Sequence, residues 1–479
     1  MNILDYFLLS VLYFWASSTA LSLGVGYYTV YRPVIAGLIT GLILGQPIIG
    51  MTVGAVVNII YIDFVSTGGS FKGDQCLTAM LAVIAAIFLN LSPIEAAASA
   101  YPFGYLGILI WKYRLNINSV FVKWYEDKYK IGQNPNISIY DGVLPQLLLY
   151  VMSTAVILAA IFVMIFFKEF IYSIKNVLFL VGIFLVLSST WNILYKIGNK
   201  NGIYIFIVTF LITMIINPSS IIIFIITLGI ILLLSNKNIL DNKYKNIKKG
   251  DIINKKDLTY SWFIWMNFSH SCYSYERLQG LAYAHSMKNI FSKLYKNCDD
   301  ASKAIHRHSE FFNTEPNMGT PIHGYIITLE EEQLNSKNYD NIMFIKKGMM
   351  GIAAGLGDSY TQVVLTPIFV SMSIMLCLDN KFIIALIPIL ILALTILIIS
   401  YTGFMKGYYE GKESLIERIN IIKNSKVKLY FPYIFSSVLG VSLGKLLIIY
   451  NWSNNFTIFG GIGIISIVYT ALSIKRSLR

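Results

Sequence analysis

Runs of apolar residues, each long enough to cross roughly 30 Å of hydrocarbon, follow one another along this chain with polar residues confined to short breaks. They fall at residues 5–29, 33–62, 143–167, 203–235, 359–378, 380–401, 429–449 and 457–473. Backbone amides in lipid must be paired within the segment, so the spans are predicted to be helices and the fold an all-α polytopic membrane protein. Turns are marked by Arg32-Pro33, Gly45-Gln46-Pro47, Gly68-Gly69 and Asn134-Pro135. The first run has no basic n-region and no clear small-residue cleavage site, which predicts a first membrane helix that is retained.

The sharpest change of pattern is the Lys- and Asn-rich run 236–257, NKNILDNKYKNIKKGDIINKKD. It divides the chain into residues 1–235, a charged linker and residues 258–479, and its Lys density predicts a cytoplasmic linker. Residues 258–345 hold no clean span, only amphipathic segments rich in His, Tyr, Glu and Lys, which predicts interfacial helices. One helix is expected from Asp299-Asp300 to about Asn313, where Thr314-Glu315-Pro316 disfavours continuation, and a second from Pro321 through Glu332.

Composition agrees with a bilayer as solvent: 56% of residues are hydrophobic and 13% charged. The net charge of +13 is spread over short Lys clusters, with no concentrated basic face, which excludes nucleic acid as the expected partner. Cys76, Cys272, Cys298 and Cys377 have no metal-ligand spacing. His306 and His308 project to different helix faces, and His270, His285 and His323 are isolated, so no metal and no cofactor are expected.

Two stretches carry polar residues where apolar ones would be cheaper. In GAVVNIIYIDFVSTGGSFKGD, residues 54–74, Asn58 and Asp63 lie inside an apolar run and Asp74 follows a glycine break. Intramembrane polar groups and broken helices line cavities in transporters, but the same segment also reads as a loop with Asp74 capping the next helix. GMMGIAAGLGDSYTQ, residues 348–362, repeats the pattern and ends on Asp358; close helix packing through Gly351, Gly355 and Gly357 is its plainer reading. The recurrence predicts two related halves with broken or re-entrant helices. Glu330-Glu331-Glu332 reads as a solvated face, and Tyr275-Glu276-Arg277 as an internal ion pair.

Residues 258 to about 470 resemble enzyme IID of the mannose/fructose/sorbose phosphotransferase family, through YERLQGLAYAHSM (275–287), IHRHSEFFNTEP (305–316), TLEEEQ (328–333) and KKGMMGIAAGLGDSY (346–360). Residues 1–235 look like enzyme IIC of that family, through YRPVIAGLITGLILG (31–45) and the segment 54–74. The resemblance implies a IIC–IID fusion, a sugar permease of the bacterial inner membrane that presents a sugar to a soluble IIB phosphohistidine served by IIA. It also implies trimers of subunits with a scaffold and a mobile core. Members for mannose and glucose typically have Glu where Asn58 stands, Trp at Phe64 and Asn at Ser66, whereas Asp74 matches. The departures point to another hexose or an amino sugar. Asn58, Asp63, Phe64, Ser66 and Asp74 are then expected to build the sugar site in the first half, closed by Asp358, Glu330 and Asn313 of the second. An ion-coupled sugar transporter relaying through Asp63, Asp74 and Asp358 is the alternative, and a membrane enzyme using the His and Glu residues of 270–332 a further one.

Overall fold

A computed structural model describes residues 1–18, 20, 22–63, 73–235, 252–334 and 339–450. Phe64, Ser66, Gly68-Gly69, most of the linker and the span expected at 457–473 lie outside the described residues. Within them the chain is helical throughout, without a strand. Five helical stretches are long and apolar enough to cross a membrane: Ile139–Phe166, Lys175–Ile197, Tyr339–Leu378, Phe382–Glu410 and Lys412–Ile449.

The first half begins with α1 (Ile3–Ser17), opened by a capping box between Asn2 and Asp5. The run 33–62, read in the sequence as long enough to span, is instead folded back on itself. It forms α2 (Pro33–Ile43) and α3 (Pro47–Ile60), joined at Gly45, whose φ of +74° suits glycine. At about 1.5 Å per residue these 11- and 14-residue helices measure about 17 and 21 Å, short of the bilayer core. The hairpin is tight because small residues face each other. A methyl built on Gly50 would run into the backbone of Gly37, and one on Gly54 into that of Pro33. Helices α4 (Gln75–Phe88) and α5 (Pro93–Ala100) pack beside the hairpin, followed by α6 (Gly104–Lys130), α7 (Leu144–Phe166), α8 (Lys168–Ser173) and α9 (Lys175–Ile197). The run 203–235 is also broken, into α10 (Lys200–Ile216) and α11 (Ser220–Leu234), because Asn217 takes a left-handed conformation ahead of Pro218.

The second half comprises α12 (Lys255–Phe268), α13 (Gly280–Leu294), α14 (Cys298–His308), α15 (Thr320–Gln333), α16 (Tyr339–Gly357), α17 (Thr366–Leu378), α18 (Phe382–Glu410), α19 (Lys412–Lys423) and α20 (Lys426–Ile449). Helix α15 matches its expected extent. Helix α14 stops at His308, short of Asn313, because the chain beyond it pairs with a neighbouring loop: Gln279 N donates to Phe312 O at 2.8 Å. Each half contains a π-helical turn followed at once by a proline-led helix, Ile139–Val143 before α7 and Asp358–Leu365 before α17. Gly351 and Gly355 do not pack helices together, since a methyl on either would meet open space. The glycines that do so here are Gly324 on α15 and Gly407 on α18, each set against the other helix's backbone.

The halves adhere along a seam. Helix α20 lies on α10, with Gly440 and Gly444 facing Phe206, Thr209 and Thr213, while α17 packs on α3. At one end of the seam the buried Lys445 donates to Asp379 Oδ1 at 2.9 Å and to Asn217 Oδ1 at 2.7 Å. Asp379 Oδ2 in turn accepts from Ser220 N, 3.1 Å away, at the opening of α11.

Candidate functional site

Farther along the seam a cavity of about 300 Å³ opens between the halves, within the range of small-molecule sites. The first half contributes an aromatic wall. One turn of 3₁₀ helix at Gly26–Tyr28 presents Tyr27 and Tyr28, the Tyr27 ring stacks on Tyr31 with centroids 5.7 Å apart, and Trp111 of α6 adds a further face. The second half contributes mostly polar groups: His270 and Tyr273 from the loop after α12, Asn313, Glu315 and Asn317 from the loop after α14, and Asp358 and Gln362 from the π-helical turn.

Several of these are held in place by bonds that span the sequence, and the rest by local ones. Arg114 of α6 donates to the carbonyl oxygens of His270 and Ser271, and Asn118 Nδ2 donates to Tyr273 O at 2.9 Å. Buried Asp141, in the first π-helical turn, accepts from His285 Nδ1 at 2.8 Å and from Cys272 N at 3.3 Å. In the second loop Glu315 accepts backbone N–H groups from Asn317 at 3.1 Å and Met318 at 2.6 Å, and Tyr28 O–H donates to its Oε1 from 3.2 Å. Tyr273 O–H donates to Asn313 Oδ1 at 3.0 Å, and Gln362 Nε2 donates to Asp358 Oδ1 at 3.0 Å. The widened turn that carries Asp358 and Gln362 is of a kind frequent at functional sites.

The protonation of His270 follows from its neighbours. Gln279 Oε1 accepts Thr314 N–H at 2.8 Å, so its Nε2 is the atom that donates to Thr314 O at 3.0 Å and faces His270 Nε2 at 3.3 Å. A ring nitrogen facing an N–H donor is the acceptor, which leaves the proton on Nδ1. Burial, with the Arg114 guanidinium adding to it, pulls His270 down to about 4. The imidazole is thus neutral at physiological pH.

Of the residues expected from sequence, the structure places Asn313 and Asp358 on the cavity. Asn58 lines a second, smaller chamber beside it, together with Arg32, Tyr27, Tyr61, Gln362 and Thr366. Asp74 does not line the cavity: it caps α4 by accepting Leu77 N at 2.9 Å and accepts Tyr13 O–H at 2.8 Å. Asp63 meets Asn192 and Lys196 of α9, the latter at 3.5 Å. These partners place Asp63, Asp74 and Asp358 in three separate surroundings, so the structure does not assemble them into a relay. Glu330 is buried away from the cavity, where Tyr295, Arg307 and His308 donate to it, Arg307 at 2.7 Å and His308 at 2.8 Å. The expected solvated face is therefore dry at its first residue. Burial alone would raise the Glu330 carboxyl, but the His308 hydrogen bond and the Arg307 charge hold it down at about 2. Arg277 pairs with Glu126 of α6 rather than with its neighbour Glu276.

Sequence reasoning missed Tyr27, Tyr28, Tyr31, Trp111, Tyr273, Glu315, Asn317 and Gln362, and read His270 as isolated. The aromatic set had a local signal in YYTVYRP, residues 27–33, and NTEPN, residues 313–317, lines the cavity along its whole length although only Asn313 was singled out.

Comparison with known proteins assigns both halves. Residues 252–440 match the family described as the PTS system mannose/fructose/sorbose family IID component. Residues 3–233 match the family described as the PTS system sorbose-specific IIC component. The fructose permease IID component of Bacillus subtilis (strain 168) is 32% identical over 171 residues, 35% of this chain and 62% of the relative. The mannose-specific EIID component of Escherichia coli (strain K12) is 33% identical over 152 residues, 31% of this chain and 54% of the relative. The sorbose-specific EIID component of Lacticaseibacillus casei is 30% identical over 173 residues, 36% of this chain and 59% of the relative. The chain thus spans between about half and three fifths of the length of these curated relatives.

Proposed function

We propose, for a chain that belongs to the mannose/fructose/sorbose phosphotransferase family and holds its IIC and IID membrane components in one polypeptide, the role of sugar permease in such a system. The observation that carries this reading is the cavity at the seam. An aromatic wall suits the C–H face of a pyranose or furanose ring, and a ring of carboxylates, amides and a neutral imidazole suits its hydroxyls. Asp358 and Glu315 accept hydroxyl protons, Asn313 and Asn317 can both donate and accept, and His270 Nδ1–H donates. The site is complete only when both halves contribute.

The three relatives are named for fructose, mannose and sorbose, so membership of the family leaves the sugar open. The amide-rich cavity supports a hexose other than mannose or glucose, or an amino sugar. In this reading the protein sits in the bacterial inner membrane, assembles as a trimer, and moves bound sugar by displacing a mobile core against a scaffold. A cytoplasmic IIB protein, recharged by IIA, then transfers its phosphoryl group from a histidine nitrogen to a sugar hydroxyl. The phosphoryl donor lies on that partner, so this chain supplies binding and orientation.

The test is uptake into vesicles containing the purified protein, over a panel of hexoses and amino sugars. Sugar phosphate that appears inside only when phosphorylated IIB is supplied supports the proposal. Accumulation of unmodified sugar driven by an ion gradient overturns it.

A further inference from the structure

The smaller chamber beside the cavity, about 20 Å³, is lined by a buried cation that has no counter-charge among the described residues. Arg32, at the N-terminus of α2, is only 6% exposed, yet among the described residues its guanidinium makes no ion pair and Nε finds no acceptor. Its one partner is the Tyr27 ring, 4.7 Å from Cζ. The Asn58 amide, 2% exposed, lines the same chamber with its Nδ2 unpartnered. The carboxylates on the adjoining cavity are already engaged: Glu315 by Tyr28, Asn317 and Met318, and Asp358 by Gln362. A guanidinium charge taken out of water inside a membrane protein is stabilised by an opposite charge, a far weaker partner being an aromatic face.

We propose that this chamber is an anion site that holds one halide ion, chloride in the cell, between Arg32 and the Asn58 amide at the seam of the two halves. The dimensions set the ligand class. The chamber, about 20 Å³, is small, which suits a compact monoatomic anion better than sulfate, phosphate or a carboxylic acid. Arg32 Nε–H and Asn58 Nδ2–H are two donors without acceptors, as an anion requires. The site also touches the sugar cavity, because Tyr27 and Gln362 line both. It does not depend on the permease reading, since halide binding is measured on the protein alone.

The experiment is thermal unfolding of the purified full chain in detergent at constant ionic strength, with sodium gluconate replaced stepwise by sodium chloride or bromide. Expected is a rise of roughly 1–3 °C per tenfold increase in halide beyond half-saturation. Asn58→Glu places a carboxylate in the chamber. This variant is expected to be stable without halide and to have lost the dependence, while Arg32→Gln loses it by removing the charge. Equal midpoints in gluconate and chloride overturn the proposal. So does an Asn58→Glu protein that keeps the full halide response, a result that stands even where Arg32→Gln does not fold.

Discussion

Replacing one glycine in the hairpin of α2 and α3 puts the packing argument at risk. In Gly50→Ala the new methyl meets the backbone of Gly37 and lies 3.0 Å from Gly41 Cα, so nothing flexible is available to move and the helices must part by about 1 Å. On the order of 30 atom pairs along the crossing, each worth ~0.1–0.2 kcal/mol, then lose a quarter to a half of their attraction, about 1–2 kcal/mol. Strain raises the cost toward the upper part of the ~1–3 kcal/mol range typical of overpacking. Against this stands a gain in helix propensity of at most about 1 kcal/mol. The loss outweighs the gain, so Gly50→Ala is expected to be destabilised by about 1–2 kcal/mol. Gly355→Ala makes the same chemical change on α16, where the methyl meets nothing, and only the propensity gain remains. Thermal or denaturant unfolding in detergent reads both. A Gly50→Ala protein as stable as Gly355→Ala would refute the close approach of α2 to α3. The effect also reaches the site, since Arg32 precedes α2 and Asn58 rides on α3.

Further predictions concern single side chains. His270→Asn keeps a donor near the position of Nδ1 and is expected to retain sugar affinity within a few-fold. His270→Ala should lose about tenfold, the ~1.4 kcal/mol of one hydrogen bond, mainly toward sugars bearing the hydroxyl it meets; titration with a deoxy-sugar panel checks this. Glu330→Gln should cost about 3 kcal/mol by leaving the half-buried Arg307 without its anion. Because the Glu330 carboxyl is lowered to about 2, its stabilisation is full above about pH 4.5 and lost as pH falls toward 2; unfolding measured across pH 3–7 should show a steeper slope in wild type than in the variant. Asp379→Asn leaves the buried Lys445 bonded to Asn217 but without a counter-charge and should lower stability by about 3 kcal/mol, whereas the apolar pair Asp379→Leu, Lys445→Met should recover most of the loss; comparison of the three unfolding midpoints decides it.

The helical class and the division into two halves are visible in sequence because hydropathy and charge are local quantities. The same averaging hides where a run turns back. Residues 33–62 are apolar throughout, and only Gly45-Gln46-Pro47 distinguishes one span from the hairpin that forms. Asp74 illustrates a second limit: the segment 54–74 left open both a ligand and a helix cap, and its bond from Leu77 N is that of a cap, while Tyr13 of α1 holds its other oxygen. The cavity itself is written in separations that no window spans. Tyr28 and Glu315 meet across 287 positions, and the loop carrying His270 is fixed by Arg114 across 156. Buried charge was equally illegible: Arg32 in a turn motif and Glu330 in an acidic run look solvated until their neighbours are known.

The seam joins parts of one polypeptide, and this alters what its contacts have to achieve. Two separate chains would need enough interface energy to overcome dilution, whereas tethered partners meet at an effective concentration of about millimolar order. Bonds such as Tyr28 to Glu315 and Lys445 to Asn217 are thus released from keeping the assembly together and are free to set how far it opens. Weakening them should leave the stoichiometry intact and show itself in the population of open and closed seams.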